Sequence, residues 1–367
     1  MKVYFSELGT ISSPRSNNEL VSLNTNEALG VIGRFSEALL LNKVVTVPIN
    51  GPALEIVALI RWFGQSGFDE LIEQGAINFC FFPGTFAFIT EDNKRSLNLK
   101  TETGINWVRG NDASWANVDE AVKLVLTEQL NYPLGKARRI GTRIERLTTE
   151  ISFNNIYSNV VQQTYQSISQ LNKFKGLSFD DIRRINKQED LNEILSLARI
   201  HLDLECGSHM NSNGIYGNER TWVLFDQALG NGYKKKPLKE KLDTILDFEG
   251  VPDVVKLVES GWAADGIIKM MKDKRVDRFR EWINKANNST EKELIKEYYS
   301  CFKDLRSNNL PIKTLRIGIP TIIGMFGVVG TIASTVFSAM DTAWGDKVIN
   351  GWNPKVFIEK HFKYIGE

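Results

Sequence analysis

The chain has 367 residues, and its 45 Lys plus Arg stand against 44 Asp plus Glu, a net charge of +1. That balance supplies no global field to hold a polyanion, so nucleic acid is not expected as a partner. Three cysteines, Cys80, Cys206 and Cys301, are too few for a disulfide framework, and Glu7 arrives too soon for a signal-peptide apolar core. The expectation is a cytoplasmic protein of two or three domains, with any membrane contact peripheral or conditional.

Taken in chain order, the first strong element is a helix over 27–41, with Asn24 or Asn26 placed to cap it. The β-branched run 43–48 predicts a strand. Ile56, Leu59, Ile60 and Phe63 recur at helical spacing within 53–74. Two apolar runs follow, 76–82 and 85–90, divided by Pro83-Gly84, a turn signal that predicts a hairpin between them. Strand, helix and strand make one βαβ unit with an antiparallel neighbour.

From about residue 111 the pattern turns helical. Asn117 with Glu120, Ser178 with Asp181, and Thr290 with Glu293 have the spacing of helix starts. Between them, Val255, Val258, Trp262, Ile268, Met271, Phe279 and Trp282 are spaced to face a core. The fold class expected is α+β: a mixed α/β domain over 1–110 built on a short mixed sheet, a helical domain over 111–310, and an apolar segment with a short amphipathic helix over 311–367.

Ile317–Met340 holds 24 residues without a charge, long enough to span a bilayer core, but glycines, hydroxyl residues and Pro320 bring its insertion free energy close to balance. Gly324, Gly327 and Gly330 leave one side without side chains around Val328, so that another backbone can approach. Lys136, Arg139, Arg143 and Arg146 line one face of a helix, a pattern suited to an anionic surface or to plain solvation.

These features support a non-enzymatic protein that engages a membrane or a partner chain through the C-terminal segment, as a bacterial toxin-like or defence-associated effector would. A second expectation is a metal-dependent hydrolase or nuclease. The run 201–209 gathers His201, Asp203, Glu205, Cys206 and His209, and His201, Glu205, Cys206 and His209 are ligand types for zinc. This reading ends a helix near Glu205, so that Cys206 and His209 follow in a loop. The polar corner Asp92–Lys94, with Asp69 or Glu70 as an earlier acid, has the residue types of a nuclease centre. A third expectation is a ligand-binding α/β protein. There Asn50 and Gly51 would form an anion site where the first strand runs into a helix, with Pro52 at the first helical position. Gly-x-Ser-x-Gly and phosphate-loop motifs are absent from the sequence.

Overall fold

The computed structural model describes residues 2–11, 21–108 and 115–216 with single-residue exceptions, most of 247–280, and 312–316. Its elements in the first half are β1 (Lys2–Phe5), α1 (Asn26–Leu41), β2 (Val44–Asn50), α2 (Leu54–Glu73), β3 (Ile77–Phe82), β4 (Thr85–Ile89), α3 (Glu91–Ser96) and β5 (Gly104–Val108). They continue with α4 (Val118–Leu130), α5 (Leu134–Arg146), β6 (Thr148–Glu150), α6 (Phe153–Gln170), α7 (Phe179–Arg183), α8 (Gln188–His209) and β7 (Gly214–Tyr216). Beyond these lie β8 (Asp247–Pro252), α9 (Val254–Glu259), α10 (Ala264–Met271) and β9 (Ile312–Arg316).

The centre is a five-stranded sheet in the order β6-β3-β2-β1-β7, and every pairing in it is parallel. Side chains alternate across it, as the two-residue period of a strand requires. Val3 and Phe5 of β1, Val45, Val47 and Ile49 of β2, and Phe79 and Phe81 of β3 enter one core with α1, α2, α4, α5, α9 and α10. Tyr4, Cys80 and Phe82 enter the opposite core with Ile156 of α6 and Ile200, Cys206 and Met210 around α8. Helices therefore cover both faces, the arrangement parallel sheets need. The chain adds β2, β3 and β6 on one side of β1, then crosses to add β7 on its other side. That reversal lies between β1 and β7.

The α+β class expected from the sequence is present, and so is the βαβ unit, since β2 and β3 pair in parallel across α2. Three local expectations are corrected. The hairpin between 76–82 and 85–90 does not form: β3 is central in the parallel sheet, and β4 pairs antiparallel with β5. The cap of α1 is Thr25, whose Oγ1 accepts the Ala28 N–H at 3.1 Å, and not Asn24 or Asn26. The sheet does not close at residue 110, because β6 and β7 come from the region expected to be helical.

The other start signals hold where they are described. Asn117 accepts the Glu120 N–H, and Ser178 and Asp181 form a reciprocal capping box. Thr290 and Glu293 lie outside the described residues, as does the whole of 317–340 with Gly324, Gly327, Val328 and Gly330. At the other end of α1, Arg280 donates to the Leu40 and Leu39 carbonyls at 3.0 and 2.5 Å, satisfying acceptors a helix end would otherwise leave unpaired. Among the described residues no helix is long and apolar enough to cross a membrane.

Candidate functional site

In an open parallel sheet with helices on both faces, the crevice outside the carboxyl ends of the strands, at the point where strand order reverses, is where ligands bind. Here that reversal lies between β1 and β7, and the turn after β2 adjoins it on the other side of β1. The chain leaves β1 through Ser6 and Glu7 into a 3-10 turn, Glu7–Ile11. It leaves β2 through Asn50 into a tight turn in which Gly51 and Ala53 have φ of +43° and +53°. The turn delivers Glu55 to the first turn of α2.

Glu55 is buried, 3% exposed. Its carboxylate accepts hydrogen bonds from backbone N–H groups of Glu55 itself and Asn50, yet desolvation outweighs these and pushes its pKa up to about 7. Oxygen Oε2 is buried and has no hydrogen-bond partner. Glu7, also 3% exposed, accepts two bonds from Arg34 of α1, from Nε at 2.9 Å and Nη2 at 2.5 Å, both on Oε2. Its Oε1 is buried without a partner, and burial raises the carboxyl above its ordinary range against the pull of Arg34.

A third carboxylate, Asp203 of α8, lies below Ser6 and Tyr4, which both hydrogen-bond to it; burial raises it to about 6. Arg199, one turn earlier on α8 and exposed at the surface, attracts both Glu55 and Asp203. The elements converge at Gly9. A Cβ there would stand 3.0 Å from Glu55 Oε1 and 3.3 Å from Arg199 Nη2. The half-buried Trp115 indole closes over the adjoining turn, where a Cβ on Gly51 would meet its Cε2 at 2.6 Å. Glycine suits that position twice over, for its positive φ and for the indole.

The sequence-derived candidates fare differently. Asn50 and Gly51 do stand at this edge, but the role expected of them changes. Leu54 is the first helical residue, so Pro52 precedes the cap, and the Glu55 carboxylate itself occupies the N–H groups an anion would use. The zinc set does not assemble. Because α8 runs on to His209, Cys206 turns into the core and His209 outward. Glu205 accepts from Gln163 at 2.9 Å, and His201 Nε2 shares a 2.8 Å bond with Ser167. Among the described residues no group of three or more His, Cys, Asp and Glu side chains is arranged to hold a metal ion.

The Ser167–His201 pair has the spacing of a nucleophile and its base. However, His201 Nδ1 is buried without a partner, so no carboxylate orients the ring, and burial holds its pKa down to about 4. For the nuclease corner, Asp92 and Lys94 lie in α3, while Asp69 is paired with Arg143 at 2.9 Å and Glu70 with Lys272 at 2.5 Å. On α5, Arg143 also reaches Glu73 at 3.3 Å and Lys136 lies over the Tyr132 ring at 3.7 Å, so that of the four basic residues expected to share a face only Arg139 and Arg146 are exposed.

No spacing in the sequence brings together Glu7, Arg34, Glu55, Trp115, Arg199 and Asp203, which come from five segments. The one local signal was Glu55 itself, a single acid inside the apolar run from Ala53 to Ile60. No protein-family model, no curated protein and no solved structure matches the chain.

Proposed function

We propose that the chain binds a small polar molecule at the carboxyl edge of its parallel sheet, through donors that the ligand presents to Glu7 and Glu55. The observation that carries this reading is the pair of buried, unpartnered carboxylate oxygens, Glu7 Oε1 and Glu55 Oε2, beside the β1–β7 reversal. An unsatisfied buried acceptor costs roughly 1–3 kcal/mol, and more when charged, so two of them at one edge oppose folding. Local rules of stability are broken in this way at sites kept for binding.

A thermal-shift screen of polyols, sugar phosphates, nucleotides, amines and amino acids tests the reading, with hits repeated on Gly9→Val. That substitution fills the space between Glu55 and Arg199. Saturable stabilisation that disappears in a folded Gly9→Val protein supports the site; hits that survive the substitution place the ligand elsewhere. A second reading, contact with a membrane or partner chain through 317–340, rests on the charge-free composition of that run. Fractionation of the untagged protein and its Val328→Lys variant tests it. Membrane association lost in a folded variant supports it, and a wild-type protein wholly in the soluble fraction contradicts the membrane form.

A further inference from the structure

We infer that Arg34 is the positioning residue of the site: by holding Glu7 through Oε2 alone it keeps Oε1 as the acceptor and makes that end select neutral donors, the hydroxyls of a polyol, over ammonium groups. The inference rests on the carboxyl-edge reading proposed above and uses only its Glu7 half.

The grip of Arg34 on Glu7 is one-sided. A guanidinium facing a carboxylate commonly forms two parallel bonds, one to each oxygen. Arg34 instead brings Nε at 2.9 Å and Nη2 at 2.5 Å to the same atom, Glu7 Oε2. Oε1 is buried and has no partner. Glu7 opens the turn Glu7–Ile11 that follows β1, and Arg34 reaches it from α1. With Oε2 pinned by two bonds, the direction of Oε1 is set by the fork that holds its neighbour.

The charges around this carboxylate decide which donor it takes. Among the described residues, those acting on the Glu7–Ile11 turn are Arg34 from α1, Glu55 from α2, and Arg199 and Asp203 from α8. Asp203 has partners of its own, the hydrogen bonds of Ser6 and Tyr4 and the attraction of Arg199. Glu7 has Arg34 in direct contact, and that contact works against the burial that raises its carboxyl. An ammonium on Oε1 would add a second cation to a carboxylate already neutralised, leaving positive charge out of water, which is costly. A hydroxyl adds a donor and no charge. Glu259 of α9 is the other acid near Arg34, its Oε1 and Arg34 Nη1 both within 3.6 Å of the place a Cβ on Gly30 would take, but it is exposed and water screens it.

The test uses the full chain and three probes: myo-inositol, ribose and putrescine. Binding is read by calorimetry on wild type, Arg34→Lys, Arg34→Met, Glu7→Gln and the double variant Glu7→Gln with Arg34→Met, each checked for fold by circular dichroism. Wild type is expected to bind at least one polyol saturably and putrescine at least about tenfold more weakly. Arg34→Met should lower the ratio of polyol to putrescine affinity about tenfold or more, because Glu7 loses its cation. Arg34→Lys, which keeps the charge without the fork, should retain most of that ratio. In the Glu7→Gln background the Arg34→Met change should have no further effect on affinity, since Arg34 acts through Glu7. A loss of fold alone would move stability and leave the ratio and the coupling untouched. Polyol binding that Glu7→Gln removes but Arg34→Met leaves unchanged keeps the carboxyl-edge site and overturns the inference. So does putrescine binding to wild type as tightly as the polyols. If no polyol binds, the inference is overturned, and if the wider screen of polar molecules is also empty, the site falls with it.

Discussion

Replacing Glu55 with Gln should make the protein more stable above neutral pH while removing its ligand. Burial raises the Glu55 carboxyl from 4.5 to about 7, so the folded chain holds this proton more tightly than the unfolded chain does. Between about pH 4.5 and 7 the folded state therefore binds more protons, and stability falls as pH rises through that window. At pH 8 the ionised, buried carboxylate costs up to about 3 kcal/mol relative to its protonated form. Glutamine keeps the shape and an oxygen for the Glu55 and Asn50 N–H groups, but never ionises. Urea unfolding of both proteins at pH 5, 6, 7 and 8, followed by far-ultraviolet circular dichroism, measures the difference. Near pH 5 the two should be close; by pH 8 the variant should lead by roughly 1–3 kcal/mol. Wild type should keep part of its slope in the variant, because Asp203, raised to about 6, and Glu7 act with the same sign. Parallel stability curves for the two proteins from pH 5 to pH 8 would show that Glu55 is not a buried titrating group and would contradict the proposed site.

Other predictions concern the frame around the site. Gly33→Ala places a Cβ 2.6 Å from the Val255 Cα where α1 meets α9, so it should destabilise by roughly 1–3 kcal/mol, read from the urea midpoint. Cys80 and Cys206 are buried, and burial raises both thiols. With Cys301 replaced by Ser, the native protein should not react with an aromatic disulfide reagent at neutral pH, whereas the unfolded chain should release two equivalents. Arg143→Ala breaks partly exposed pairs with Asp69 and Glu73 and should cost under about 1 kcal/mol in denaturant titrations, an effect that added salt reduces further.

The legible part of the fold was the part written locally. The β-branched run ending at Asn50 and the spacing of Ile56, Leu59, Ile60 and Phe63 identified β2 and α2 with little error at their ends. The hairpin was misread because Pro83-Gly84 is a true turn whose following strand pairs further along, with β5. The continuous apolar run of β3, INFCFF, was the sign of a strand buried on both faces and so of a parallel centre. Strands β6 and β7 have three residues each, too few to show a period, and this is why the sheet seemed to end at 110. The site was less legible still. Glu7, Arg34, Glu55 and Asp203 are brought together by strand order, and no spacing along the chain records that. The densest chemical run, 201–209, drew attention to α8 for a metal, whereas its residue at this edge is Asp203, which sits one helical turn from Arg199.

The most direct measurement is amide nuclear magnetic resonance of the labelled full chain titrated with the strongest hit of the polar-molecule screen. A site at the carboxyl edge predicts saturable shifts centred on Gly9, Asn50, Gly51 and Glu55, and their loss in Glu55→Gln with the remaining spectrum unchanged. Shifts centred on another part of the chain, or saturable binding that leaves those four amides unmoved, would contradict it.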